Sequence, residues 1–274
     1  MKTLYVSDLD GTLLGSHQKT SPFTNQVMNR LVEEGMGFSY ATARSFHTAK
    51  KATEGLNAPM PLIVYNGAFI VENGTGKLLH GNFFEKEQAQ RILHALLSAG
   101  VQPIVYGIRE GREKMTYIPA KLHKEGRAFL ATRKGDVRDT PVAGEGELLY
   151  GDTFYFTCIE EAEKLSPLHE EMKESFRCVY ARDIYSSAQW LEIMPKEASK
   201  ANAIRQLKEK GGYEKVVVFG DGLNDVDMFR MADEAYAVEN AAPELKEMAT
   251  AIIPGNDADG VARFLLHRKE QGLL

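Results

Sequence analysis

The 274-residue chain has little of several things. It has two cysteines, Cys158 and Cys178, and one tryptophan. Nowhere does it approach the roughly 18 consecutive apolar residues of a membrane-spanning helix. Two cysteines cannot build a disulfide scaffold; both stand in apolar runs, which predicts buried thiols in a reducing compartment. Neither sign of charge dominates. The 33 basic and 38 acidic side chains leave a net charge of −5, which gives no general attraction to nucleic acid or to anionic membranes. The apolar run after Lys2 ends at Asp8 and Asp10, too soon for the core of a secretory leader. The expectation is a soluble, cytoplasmic protein without nucleic-acid or membrane partners, its oligomeric state unreadable. There is no internal repeat and no low-complexity segment. What is present, 43% hydrophobic and 26% charged residues, is the composition of a globular protein with a sizeable core.

The chain reads as alternating strands and helices at both ends. Thr3 to Ser7 is a β-branched and aromatic run that stops in acid and glycine. Ser21-Pro22 offers an N-cap and a first-turn proline, Phe23, Val27 and Leu31 recur at a spacing of four, and Gly35 ends the helix. A strand from Gly37 to Ala41, a helix after Ser45 and the strand Leu62 to Val64 follow. Ala68 to Val71 and Lys77 to His80 flank Asn73-Gly74-Thr75-Gly76, a hairpin signal. After a helix from Glu87 to Ser98 come mixed elements as far as Ser187. The nine basic and five acidic side chains between Arg109 and Asp139 read as a solvated surface. Trp190, Leu191 and Ile193 read as packing residues of a strand re-entering the first fold. The alternation resumes with a helix from Ala201 to Lys210, the nearly pure apolar strand Lys215 to Phe219, a helix through Met228, the strand Glu234 to Val238 and a helix after Asp257. The expected architecture is α/β: a Rossmann-like doubly wound parallel sheet (residues 1–82 and 189–274) with an inserted α+β domain (residues 83–188).

Four polar clusters sit where predicted core strands stop or helices begin, the place where open parallel sheets bind ligands. The first is Asp8-Leu9-Asp10-Gly11-Thr12; side chains two apart on an extended segment point the same way, so Asp8 and Asp10 can face one site. The second is Ala41-Thr42-Ala43-Arg44-Ser45, a hydroxyl at a helix start suited to an anion. The third is Ser199-Lys200, a positive charge suited to a phosphoryl oxygen. The fourth is Gly220-Asp221-Gly222-Leu223-Asn224-Asp225. If the strands before the first and fourth are neighbours, several carboxylates converge, and two such charges ~4 Å apart repel by ~4 kcal/mol at an effective dielectric near 20. A divalent cation removes that penalty, and oxygen donors without His or Cys favour Mg²⁺ over zinc. Taken singly, each cluster is an ordinary turn, cap or strand end. Together they supply a carboxylate nucleophile, a second carboxyl for proton transfer, a metal, a hydroxyl and a lysine, which describes phosphoryl transfer through an aspartyl-phosphate.

On these residues the chain resembles the haloacid-dehalogenase superfamily, and within it the Cof-type phosphatases of subclass IIB, which carry a large α/β cap after the second motif. Asp8, Asp10 and Thr12 match the first motif, Thr42 the second, Lys200 the third, and Asp221, Asn224 and Asp225 the fourth. Asn66-Gly67-Ala68, Glu239-Asn240-Ala241 and Asn256 to Val261 agree as flanks. The resemblance implies that Asp8 attacks phosphorus and that Asp10 protonates the leaving alcohol and later deprotonates water. It implies that Thr42, Lys200, Asn224 and Asn66 surround the phosphoryl group. Mg²⁺ would be held by Asp8, Asp10 (through its backbone carbonyl), Asp221 and Asp225. It further implies a cap that selects the substrate, with connections near 82–84 and 187–189. Alanine stands at 43 and 201, where relatives often have glycine; at 43 it restricts the backbone. The expected function is hydrolysis of small phosphorylated metabolites, sugar phosphates or phosphorylated cofactors. The alternatives are a phosphomutase, whose small helical cap before the second motif has no room in residues 13–41, and a non-catalytic phosphate-ligand-binding regulator.

Overall fold

A computed structural model describes residues 1–58, 60–182 and 188–274. The chain separates into two compact units, Met1–Gly81 with Ala198–Leu274, and Asn82–Glu197.

The first unit opens with β1 (Thr3–Ser7), α1 (Pro22–Glu33), β2 (Gly37–Tyr40) and α2 (Phe46–Ala52), followed by β3 (Leu62–Val64), β4 (Phe69–Val71) and β5 (Leu78–Gly81). The second unit holds α3 (Lys86–Ser98), β6 (Ile104–Arg109), β7 (Arg112–Tyr117), α4 (Lys124–Ala131), β8 (Asp139–Pro141), β9 (Asp152–Ile159), α5 (Ala162–Met172), β10 (Arg177–Arg182) and β11 (Gln189–Met194). The first unit resumes with α6 (Lys200–Gly211), β12 (Lys215–Gly220), α7 (Val226–Met231), β13 (Glu234–Val238), α8 (Pro243–Met248), β14 (Ala251–Ile253) and α9 (Gly260–Glu270).

In the first unit five strands lie parallel in the order β14-β13-β12-β1-β2. Leu4, Val6 and Val216 to Phe219 are fully buried, as strands covered on both faces require. The helices pack in two groups, α1 with α9 and α6 with α7 and α8, the pattern of a doubly wound sheet. From β1 the chain moves to β2 on one side and, after the second unit, returns to β12 on the other. The carboxyl ends of β1 and β12 therefore flank the point where strand order reverses, the place where such sheets leave a crevice. Their register is close: Ser7 pairs with Phe219, and the Asp8 amide donates to the Phe219 carbonyl at 2.9 Å.

Leu62–Val64 departs from the expected parallel alternation. It pairs antiparallel in the small sheet β3-β4-β5 and touches the main sheet through the parallel bridge Ala41–Ile63. Only three residues long, it reaches β2 just where Thr42 donates its amide to the Ile63 carbonyl at 3.0 Å.

The second unit is a six-stranded sheet, β10-β11-β9-β6-β7-β8. Here the strand carrying Trp190, Leu191 and Ile193 is corrected: β11 pairs with β10 and β9 instead of re-entering the first fold. Cross-strand burial decides this. Leu191 lies opposite Cys158, Ile193 opposite Phe156, and all four are fully buried in one apolar cluster. The change between units accordingly falls after Glu197, not at 188–189, and residues 183–187, where the expected connection begins, lie outside the described residues. Arg138 is a second correction. It is not a solvated charge but a buried one, forked onto Asp136 and paired with Glu113 at 2.8 Å. Of the two thiols Cys158 is buried and Cys178 half-buried, and both are free. No helix among the described residues is long and apolar enough to cross a membrane.

The two ends of the first unit are tied by Asp259. This left-handed residue (φ 55°), a conformation aspartate tolerates, accepts from the Ser21 and Thr24 hydroxyls at the start of α1. Ser21 also caps α1 by accepting from the Thr24 amide at 2.9 Å. Ser21→Ala is expected to destabilise the protein by about 1–2 kcal/mol, read from the shift in the urea midpoint, with Ser21→Thr, which keeps the hydroxyl, retaining most of the stability. An unshifted midpoint would show that α1 is anchored elsewhere.

Candidate active site

The crevice end of β1 and β12 gathers charge. Asp8 follows β1 directly, Asp221 follows β12, Asp225 comes one turn later, and Lys200 opens α6, whose N-cap Ser199 accepts from the Asn202 amide at 3.1 Å. Lys200 Nζ donates to Asp8 Oδ1 at 2.6 Å and to Asp225 Oδ1 at 2.7 Å. Asp225 is 0% exposed, Lys200 1% and Asp8 4%. The other Asp225 oxygen accepts from the backbone amides of Asp221 and Gly222 at 3.0 and 3.1 Å. Thr12 donates to Asp221 Oδ1 at 2.8 Å.

These groups perturb one another. Burial pushes Asp8 well above the ordinary carboxylate range; Lys200 opposes this, while Asp225, Asp221 and Asp10 reinforce it. Asp221 is pushed up to about 7, by burial first and by Asp225 next, against the Thr12 hydroxyl and Lys200. Burial alone would favour a neutral amine at Lys200, but Asp225 and Asp8 outweigh it and hold the ammonium above its usual value. Three carboxylates share one ammonium.

Asp8, Asp221 and Asp225 each offer an oxygen within 4.8 Å of the others. An all-oxygen donor set with surplus negative charge suits a small hard dication. Gly11 makes the room: at φ 75° it brings the first cluster so close to Asp221 that a Cβ there would collide with the carboxylate.

Asp10 has a partner of its own. The segment after Asp8 is not a strand but a helical turn interrupted at Asp10 (φ −69°, ψ 123°) and Gly11 (φ 75°), and the Asp10 carboxylate lies on Arg44. The Asp10 charge still acts on both Asp8 and Asp221. Any hold by Asp10 on a cation at the cluster would come from its backbone.

Thr42 is fully buried and its Oγ1 accepts from the Arg44 amide at 3.1 Å, leaving its own O–H to donate. Tyr65 and Asn66 both have left-handed φ, 52° and 53°, and Gly67 follows at 94°; a Cβ on Gly67 would strike the Ser199 backbone. This turn braces Thr42, since the Asn66 amide donates to the Thr42 carbonyl at 2.8 Å and the Tyr65 amide to the Arg44 carbonyl at 3.0 Å. Asn224 Nδ2 donates to Asn66 Oδ1 at 3.3 Å. Ala43 is not among the left-handed residues, so alanine fits there without strain. Ala201 lies buried in the first turn of α6, where alanine is a good helix former.

A model of haloacid dehalogenase-like hydrolases matches residues 5–265. The chain belongs to that family. The 5-amino-6-(5-phospho-D-ribitylamino)uracil phosphatase of Bacillus subtilis is 27% identical over 282 residues, 94% of this chain and 95% of that protein. The HMP-PP phosphatase of Serratia proteamaculans is 24% identical over 275 residues, 97% of this chain and 95% of that protein. A crystal structure of a Thermotoga maritima protein superposes with a TM-score of 0.77 at 25% identity, covering 97% of each chain.

Two contacts of this hydrolase were not foreseen from its sequence. Arg44 stood in the second cluster without a partner assigned, although an arginine beside a predicted anion site is itself a signal. Asn240, which donates to the Gly11 carbonyl at 2.7 Å, stood in a flank without a partner.

Removing the ammonium should be costly. Lys200→Ala leaves Asp8 and Asp225 buried without their counter-charge, and is expected to destabilise the fold by about 3–5 kcal/mol in urea titration. A loss under about 1 kcal/mol would mean that the carboxylates are not held as charges.

Proposed function

We propose that this hydrolase is a Mg²⁺-dependent phosphatase of small phosphorylated metabolites, sugar phosphates or phosphorylated cofactors, working in the cytoplasm through an aspartyl-phosphate on Asp8. The observation that carries the reading is the buried Asp8 carboxylate, held by Lys200 within a three-carboxylate cluster at the switch point of the sheet. Two relatives named as phosphatases, one of them for a phosphorylated ribityl compound, support the substrate class.

Asp8, Asp221 and Asp225, with the Asp10 backbone carbonyl, are the groups that would hold the cation. When bound, Mg²⁺ would offset the surplus negative charge, favour ionised Asp8 and withdraw charge from the phosphoryl oxygens. Asp8 forms the new O–P bond while the ester P–O bond breaks, and Asp10 gives its proton to the departing oxygen. In the second half a water loses its proton to the Asp10 carboxylate and attacks phosphorus. The Asp8–phosphorus bond breaks, releasing inorganic phosphate and the Asp8 carboxylate. Thr42, Lys200, Asn66 and Asn224 are assigned to the phosphoryl oxygens, where charge builds in the transition state. The unit Asn82–Glu197 is assigned the choice of leaving group.

With Mg²⁺ the protein is expected to hydrolyse p-nitrophenyl phosphate and members of a sugar-phosphate panel, to lose this on chelation, and to lose about 10³-fold or more in Asp8→Asn. Sustained turnover by Asp8→Asn would refute the nucleophile. An isomerised sugar phosphate with little free phosphate would point instead to a mutase, and binding without turnover of any ester to a regulator.

A further inference from the structure

Arg44 grips Asp10 with both arms of its guanidinium: Nε donates to Oδ2 at 2.7 Å and Nη2 to Oδ1 at 2.6 Å. Nη2 also donates to Gln18 Oε1 at 3.1 Å. The pair is partly open, with 19% of the arginine side chain and 25% of the aspartate exposed, so it contributes little to stability. Its geometry is nonetheless specific. A two-pronged contact fixes the plane of a carboxyl group, which a point charge does not.

The backbone of Arg44 is anchored on both sides. Its amide bonds the Thr42 hydroxyl oxygen, and its carbonyl takes the Tyr65 amide from the left-handed turn Tyr65–Gly67. The fork therefore ties the plane of the Asp10 carboxyl group to a backbone held at two points.

We propose that Arg44 is a positioning residue that orients Asp10 for proton transfer to the leaving oxygen, an inference that rests on the phosphatase reading and on Asp10 as its acid. The guanidinium takes two of a carboxyl group's roughly four acceptor positions, so holding the plane is compatible with carrying a proton. Misplacing an acid by about 1 Å costs on the order of 10²-fold, within the range general-acid catalysis supplies.

The test compares two esters. An alkyl phosphate such as glycerol phosphate releases a strongly basic oxygen that needs the proton, whereas p-nitrophenolate departs without one. Because kcat/KM reports the steps through departure of the alcohol, Arg44→Ala should raise the ratio of p-nitrophenyl to alkyl phosphate kcat/KM by about 100-fold. Arg44→Lys, which keeps the charge but not the fork, should give an intermediate ratio. It serves as the second variant if Arg44→Ala folds poorly. In an Asp10→Ala background, Arg44→Ala should leave the ratio where Asp10→Ala put it.

Equal losses on both esters, or a rise in KM alone, would overturn the assignment and make Arg44 a structural or phosphate-binding residue. A further rise in the ratio in the double variant would overturn it too. Turnover of neither ester by the unsubstituted protein would overturn the phosphatase reading, and this assignment with it.

Discussion

Surplus negative charge in a dry place is the constraint on which the rest of this molecule turns. Asp8, Asp221 and Asp225 lie together around one ammonium. At ~4 Å and an effective dielectric near 20, each like-charged pair costs ~4 kcal/mol. Ionic groups buried in this way are seldom the cheapest way to fill a core, since apolar residues of similar volume are often as stable or more so. The surrounding structure accordingly spends its hydrogen bonds on the cluster. Two backbone amides hold Asp225, the Thr12 hydroxyl holds Asp221, and the Ser199 cap sets the start of the helix that delivers Lys200.

The same constraint explains where the backbone is strained. Three consecutive left-handed residues, Tyr65 to Gly67, are costly for any chain, and the first two are not glycine. They occur where the turn lies against the Ser199 backbone, and where its amides hold both Thr42 and Arg44 by their carbonyls. The sharp entry at Gly11 does the same on the other side, because only a residue without a side chain lets the first cluster approach Asp221.

How much of this was legible in the sequence differs from element to element. The parallel core could be read because its strands are buried on both faces and so print as apolar runs, as Val216 to Phe219 does, and because its helices carry their caps in Ser21, Ser45 and Ser199. Cluster residues were legible for a related reason: acids and glycine directly after a buried strand have no packing role to explain them. The β11 strand was misplaced because Trp190, Leu191 and Ile193 announce burial without saying in which sheet, and register with β9 is a property of distant residues. Arg138 was misread because a charge run gives no hint that one member has found two carboxylates. The Asp10–Arg44 pair was missed because the i, i+2 rule presumes an extended chain, whereas Leu9–Leu13 forms an interrupted helical turn.

That turn gives two carboxylates only two residues apart unlike partners. Asp8 is enclosed with an ammonium and two further acids, whereas Asp10 is a quarter exposed and held by a guanidinium. The two remain close enough that the Asp10 charge raises the cost of ionising Asp8. In the proposed mechanism the buried one is the nucleophile and the more open one exchanges protons. Environment rather than residue type assigns such roles. Gly11 is the residue that permits this turn, since its left-handed backbone directly after Asp10 lies against Asp221 and leads to Thr12, which donates to that carboxylate.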